Sequence, residues 1–215
     1  MRSPAPNCSK GDKECLKNYF LIVLRALHQN YEGASMPTIR IKKDAEATDG
    51  LELIFENCFL FGIQKSTPVN IKGFTETIDQ KHQIDFKLSR TILLADYQME
   101  GVVLGQKIKC NGRANITYVN PNYNVMIEGE RSMKGNVAYL SPKKIFTSVR
   151  PESMYFQLTN LTQGDKAALT QKVIDVFQEN NIILQREFCA INRMYKSFFS
   201  QLFDEISYNA FLTAA

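Results

Sequence analysis

The sequence has few of the residues and none of the short motifs on which most enzymes depend. Its 215 residues include two histidines, His28 and His82, and no tryptophan. It contains no G-x-S-x-G, H-E-x-x-H, G-x-x-x-x-G-K or C-x-x-C motif. General acid–base catalysis needs titratable groups held beside a nucleophile or a metal, and His82 lies in the polar segment DQKHQ, which predicts a solvated turn. We therefore expect no enzymatic activity, no cofactor and no metal site.

Long apolar runs and clusters of one charge are also missing. The longest apolar runs, such as 19–24, fall well short of the roughly 20 residues that cross a bilayer. The net charge is +4, and the basic residues are scattered through both halves of the chain without a base-stacking motif. We therefore expect a monomeric globular protein that binds no nucleic acid and does not insert stably into a membrane.

The N-terminal residues bear on the cellular compartment. The opening sequence MRSPAP has no apolar h-region, so we expect either a cytosolic protein or the mature form of a secreted one with a new Met. Cys8 and Cys15 flank the short polar loop SKGDKE, and this close pairing predicts a disulfide rather than a metal site, which would need a second Cys/His pair. Three cysteines remain, of which at least one must be unpaired: Cys58, Cys110 and Cys189. Three sequons are compatible with secretion, at Asn7, Asn115 and Asn160.

Two segments have the spacing of amphipathic helices. In 182–206 the apolar residues share one arc of about 100°, which predicts a helix of roughly 35 Å with one buried face. Its apolar face consists of Leu184, Phe188, Ile191, Tyr195, Phe198, Phe199, Leu202 and Ile206. A second, shorter helix is predicted over 12–31, with Gly33 as its stop.

Between the helices, from Leu51 to Leu158, apolar residues alternate with polar ones, as in an antiparallel sheet with one wet face. The predicted inward positions include Phe59, Phe61, Ile84, Phe86, Leu88, Ile92, Leu94, Val137 and Tyr139. Glycines within and between these strands predict bends, so we expect a strongly curved sheet. The fold class is therefore α+β, with a long helix able to lie along the sheet.

Fourteen Phe and nine Tyr accompany this pattern. A curved sheet around a helix can enclose an elongated apolar cavity, the usual home of lipidic ligands. The pattern alone does not distinguish a hollow interior from a filled one.

Three segments, taken in their order along the chain, resemble the insect takeout and hemolymph juvenile hormone-binding protein family. They are the clip CSKGDKEC at 8–15, the run DYQMEGVVLG at 96–105 leading into KIKCNGRANIT, and the helix ending FFSQLF at 198–203. The resemblance implies a single domain over 1–215, with a long C-terminal helix wrapped by a highly curved antiparallel sheet and a ligand tunnel between them. It also implies the Cys8–Cys15 disulfide. The second bridge of the moth hormone carriers has no counterpart, because 149–156 holds no cysteine to pair with Cys189.

We therefore expect a carrier secreted into hemolymph that binds an elongated hydrophobic small molecule, such as a juvenile hormone-like terpenoid or a fatty acid. Two alternatives stay open: a membrane-surface lipid-transfer protein, and a filled-core signalling protein with a protein partner. Tyr123, Tyr139 or Tyr195 is expected to anchor a polar ligand atom. The other predicted wall residues are apolar: Phe20, Val23, Leu24, Leu27, Ile84, Phe86, Leu88, Ile92, Leu184, Phe188, Ile191, Phe198 and Leu202.

Overall fold

The computed structural model describes residues 8, 12–28, 33–41, 51–103, 106–161, 171, 173–175 and 195–211. The fold is α+β and is dominated by antiparallel strands, in agreement with the alternation in the sequence. The first helix, α1, is Lys13–His28. The described strands are β1 Gly33–Met36, β2 Ile39–Ile41, β3 Glu52–Phe61, β4 Thr67–Lys72, β5 Lys81–Lys87, β6 Arg90–Val103, β7 Gln106–Val119, β8 Asn122–Lys134, β9 Val137–Arg150 and β10 Ser153–Leu158.

The strands form two sheets. The first runs β1-β3-β6-β7-β10, with β2 also pairing with β3, and the second runs β4-β5-β8-β9. From β3 onward the two orders correspond, because β3 leads into β4, β5 into β6, β7 into β8 and β9 into β10, so each of these four strands continues into the matching strand of the other sheet. The two sheets are therefore one antiparallel meander of long strands, folded along a line that crosses all four of them. We call this line the crease.

The crease consists of the four connections 62–66, 88–89, 120–121 and 151–152. Hydrogen bonds join the last three to one another: the amide of Leu88 donates to the carbonyl of Pro121 (3.2 Å), that of Asn120 to Ser89 (2.9 Å) and that of Glu152 to Val119 (3.0 Å). Gly62 and Asn120 have positive φ angles of 95° and 45°, a region that glycine and asparagine adopt most readily. The strong curvature predicted from the sequence is concentrated here.

The crease also shifts the alternation of buried and exposed residues by one. In β5 the even positions are buried, from His82 to Phe86, whereas in β6 the odd positions are buried, including Thr91 and Leu93. Ile92 and Leu94, which the even-numbered pattern predicted to face inward, lie on the outer side, and Leu94 is 39% exposed. The prediction that Ile92 faces inward is therefore wrong. It continued the alternation of β5 into β6, whereas the extra residue at the bend reverses which side chains face inward.

Two further irregularities reverse the predicted faces. In β3 the register with β6 shifts between Glu56 and Phe59, and Asn57 at this bulge has a φ of 50°. Phe59 is consequently exposed, while Cys58 is buried in its place. In β9 a similar shift opposite Gly129 leaves Leu140 as the buried residue, so Tyr139 is only half-buried and does not face inward as predicted.

The first helix begins at an aspartate cap. The amide of Cys15 donates to Oδ1 of Asp12 at 2.9 Å, which satisfies one of the free amides of the first turn. Cys8 and Cys15 form the disulfide, with their Cα atoms 5.5 Å apart. The helix is described as far as His28, the last three residues of the predicted helix lie outside the described residues, and Gly33 opens β1. Its buried face packs against β4 and the 3-10 turn Ile63–Lys65.

The C-terminal helix is described over 195–205, within the predicted range of 182–206. Tyr195, Phe199, Leu202 and Phe203 are buried along it, and a 3-10 turn, Tyr208–Phe211, follows. The predicted helix residues 182–194 lie outside the described residues, as does Cys189. Within the described parts of the chain, no helix has the length and apolar character needed to cross a membrane.

Candidate functional site

The interior of the meander is apolar on both sides of the crease. In the first sheet, the buried residues include Leu53, Phe55, Leu60, Leu93, Tyr97, Ile116 and Tyr118. In the second sheet, they include Ile71, Ile84, Phe86, Tyr123, Val125, Ile127, Leu140 and Val149. All belong to one contiguous cluster with α1 and the C-terminal helix. An apolar molecule held here would contact sheet residues on one side and helix residues on the other.

Most of the described wall residues predicted from the sequence lie in this interior. Those that are buried are Phe20, Val23, Ile84, Phe86, Leu88, Tyr123, Tyr195 and Leu202, and Phe198 is half-buried against them. Ile92 and Tyr139 are the exceptions already described. The side chains of Leu24 and Leu27, and residues Leu184, Phe188 and Ile191, lie outside what the structure describes. Whether any of these residues contacts a ligand stays a prediction.

The end of the second sheet far from the crease is closed by aromatic side chains. This ring cluster consists of Tyr19, Phe20, Phe74, Phe199, Phe203, Tyr208 and Phe211. The Phe20 ring lies 5.4 Å from that of Phe74 and 6.3 Å from that of Phe211, centroid to centroid. Phe20 and Phe199 have no exposed surface. This end of the interior is therefore packed with aromatic rings.

A small polar group lies in the interior next to the crease. Oγ1 of Thr91 and Oη of Tyr123 are 3.2 Å apart, and both side chains are buried. On the neighbouring strand Thr147 pairs with Val125, diagonally adjacent to Tyr123, and its Oγ1 is buried without a hydrogen-bond partner among the described residues. A buried hydroxyl normally has a partner. These three hydroxyls could therefore bind a polar atom of an otherwise apolar molecule.

Tyr195, the third tyrosine predicted as an anchor, is also buried. Its ring stacks on that of Phe199 at 5.9 Å. Burial raises the pKa of its phenol, because an ionised oxygen would lose its hydration there. Tyr195 is therefore a neutral hydroxyl in the interior at any physiological pH.

His82 is buried, contrary to the solvated turn predicted for it. It lies in β5 with no exposed surface, 4.8 Å from the ring of Phe74. Nε2 is 3.0 Å from the carbonyl of Ile78, and Nδ1 has no partner among the described residues. Burial lowers the pKa of this imidazole, although the bond to Ile78 opposes the effect. The signal was present in the sequence, because His82 shares the even-numbered face of Ile84 and Phe86.

The fold resembles that of a solved structure, Takeout 1 from Epiphyas postvittana. The two share 16% sequence identity and a TM-score of 0.72, and the match covers 93% of this chain and 94% of that one. A crystal structure of lipopolysaccharide binding protein matches more weakly, with a TM-score of 0.45 and 8% identity over 92% of this chain and 40% of that one. A sequence comparison with curated proteins found no match.

Comparison with protein families gives a match that extends along almost the whole sequence. The family is described as haemolymph juvenile hormone binding protein, and the match covers residues 3–213. It thus includes α1, the creased meander and the C-terminal helix. On this evidence the chain belongs to the haemolymph juvenile hormone binding protein family.

Proposed function

We propose that this protein is a secreted, non-catalytic carrier that holds one elongated hydrophobic molecule between the creased meander and its helices, in a single domain over 1–215. The observation that carries the proposal is the apolar inner surface that continues across the crease from one sheet to the other. Membership of a family named for juvenile hormone binding supports the same reading. The driving force would be burial of ligand surface, at about 25 cal/mol per Å².

The ligand would lie on the crease side of the interior. The buried hydroxyls lie on this side, and a long molecule bound to them would extend along the apolar inner face of the first sheet. Its polar end would bind among Thr91, Tyr123 and Thr147, where Thr147 has a hydroxyl without a described partner. A terpenoid, a fatty acid or a related lipid has this chemistry, because each combines a long apolar body with few oxygen atoms.

Secretion is supported by the Cys8–Cys15 disulfide. Such bonds persist in oxidising compartments and are rare in the cytosol. A carrier of this kind would work in an extracellular fluid such as hemolymph, where an apolar molecule needs a protein to stay dispersed.

The first test is native mass spectrometry of the purified protein, followed by extraction and identification of any released molecule. A stoichiometric apolar adduct is the expected result. A mass without adduct that persists after incubation with terpenoids, sterols and fatty acids would contradict the proposal and favour a filled core with a protein partner. Loss of the adduct to vesicles on mixing would instead favour lipid transfer at membranes.

Variants of the polar group test its assignment. Tyr123→Phe and Thr147→Val each remove a hydroxyl with little change in volume, and we expect weaker binding of a fluorescent fatty acid. Tyr155→Phe is the matched control, because Tyr155 is 61% exposed on β10. Equal affinity in all three variants would contradict the assignment of these hydroxyls as the polar anchor. The carrier proposal would then be tested by native mass spectrometry alone.

A further inference from the structure

A row of hydrogen-bond donors crosses the outer face of the second sheet beside the crease. Thr67 pairs with Lys87, Lys87 with Asn122, and Asn122 with Arg150, one residue from each of the four strands. Directly paired residues project from the same face of a sheet. All four are exposed, whereas their neighbours Phe86, Tyr123 and Val149 are buried on the inner face. We call these four residues the donor row.

The donor row borders an open depression of about 920 Å³. The rest of its lining is Val69 of β4 and residues of the crease connections, which include Lys65, Ser89, Asn120 and Glu152. The hydrogen bonds among the three crease turns fix this wall, and Nδ2 of Asn120 also donates to Oε2 of Glu152 at 2.7 Å. Three of the four crease connections that line the depression are therefore held by backbone hydrogen bonds.

The positive charges at the depression have no ion-pair partner within the described part of the chain. Lys65, Lys87 and Arg150 form no ion pair with any carboxylate that the structure describes. Cations at the other end of the same sheet are paired: Lys81 lies 3.6 Å from Glu128, and Lys143 lies 2.6 Å from Glu130. The single acid of the lining, Glu152, already accepts the bond from Asn120. The depression thus combines three cations that are unpaired among the described residues with one carboxylate and several neutral donors.

We propose that this depression is a binding site for a phosphate group, separate from the apolar interior. Neighbouring strands are about 4.8 Å apart, so the Cα atoms of Lys87 and Arg150 lie roughly 10 Å apart on either side of Asn122. Their long side chains converge on a group held above the amide, which donates between them. An ammonium, a guanidinium, an amide and a hydroxyl match the several acceptor oxygens of a phosphate. The site is independent of whether the interior holds a ligand.

The phosphate could belong to a soluble compound or to a lipid headgroup, and two assays separate these sources. In the first, inorganic phosphate is titrated into ¹⁵N-labelled protein, with the amide signals of Lys87, Asn122 and Arg150 as the readout. In the second, the protein is pelleted with vesicles of phosphatidylcholine, with and without phosphatidylglycerol. Binding in the first assay alone assigns a soluble phosphate compound, and loss of vesicle binding in the variants below assigns a headgroup.

The variants are Lys87→Gln and Arg150→Gln, with Lys81→Gln as the matched control. Lys81 lies on the same strand and face as Lys87 and carries the same charge, but it is paired with Glu128. We expect saturable binding in at least one assay, weakened about fivefold by either donor-row change, the size of one exposed charge pair, and unchanged by the control. Absence of binding in both assays, or equal effects of all three variants, would overturn the proposal. Because all three side chains are exposed, a loss of folding is not expected, and circular dichroism checks this.

Discussion

Acidification should destabilise the folded protein through His82. The imidazole is buried against Phe74, and this burial lowers its pKa in the folded state below the ordinary value of 6.5. In the unfolded chain the ring is in water and binds a proton at about pH 6.5. The unfolded state therefore binds more protons than the folded state at mildly acidic pH, and stability must fall as the pH falls.

The size of this effect follows from the number of protons. While the imidazole of the folded state stays neutral, the unfolded state binds up to one proton more than the folded state. The free energy of unfolding then falls by about 1.4 kcal/mol for each unit by which the pH falls. The stabilisation that comes from the neutral imidazole is complete above pH 6.5 and is lost as the pH falls towards the pKa of His82 in the folded state. Between pH 6.5 and pH 5 the loss reaches at most about 2 kcal/mol. Burial raises the pKa of Asp85, but hydrogen bonds from Asn70, Gln83 and Asn124 outweigh burial and lower it. Its effect on stability lies below pH 3.8 and does not overlap with that of His82.

The assay is urea unfolding at half-unit steps from pH 7.5 to pH 5. In His82→Gln an amide can still donate to the carbonyl of Ile78, but nothing titrates, so the slope should disappear. His28→Gln is the control for the other histidine of the chain. A native protein whose stability is flat across this range, or a slope that persists in His82→Gln, would refute the account of His82.

Three other perturbations test the packing. Reducing the Cys8–Cys15 disulfide, which spans seven positions, should lower the free energy of unfolding by about 2.5 kcal/mol; an unchanged melting temperature would contradict this. Gly73→Ala should cost about 2 kcal/mol or more, because φ is +94° and the new Cβ would lie 2.5 Å from the carbonyl oxygen of Lys81. Gly135→Ala, with φ +62° and open space around it, should cost less, and equal losses would refute the contact argument. Phe20→Ala should cost about 3 to 5 kcal/mol in chemical unfolding, and a loss under 1 kcal/mol would mean that the ring cluster is loosely packed.

The sequence was sufficient to predict the class of fold. It also predicted the inward faces of strands whose alternation was read separately from that of the strand across the crease. In β7 and β8 the predicted inward residues, such as Ile116 and Val125, are buried because each strand keeps one alternation throughout that region. The helix predictions were confirmed over 13–28 and 195–205, the parts that the structure describes, since a stripe at helical spacing needs only local information. The resemblance to the family was confirmed by the match over 3–213.

The crease and the two register shifts within the strands could not be predicted, and together they account for the inverted faces. A bend that adds one residue leaves composition and local alternation unchanged, so nothing near Ile92 signals that its face has changed. The bulge at Asn57 had the same effect on Phe59, because asparagine at a positive φ is unremarkable in sequence. His82 was misjudged for a different reason: its polar neighbours outweighed the periodicity, which placed it correctly.

The donor row can be identified from the pairing of the strands but not from the pattern of polar and apolar residues in the sequence. Thr67, Lys87, Asn122 and Arg150 are spread over more than 80 positions of the sequence, and each is an ordinary exposed residue in its own strand. They become neighbours only because the four strands align in one register at the crease. The same register places Phe86, Tyr123 and Val149, each adjacent to a member of the row, on the opposite face. The crease therefore brings a polar, cationic outer surface and an apolar inner one within one sheet thickness of each other, so charge in the outer depression and hydroxyls in the interior can be altered separately.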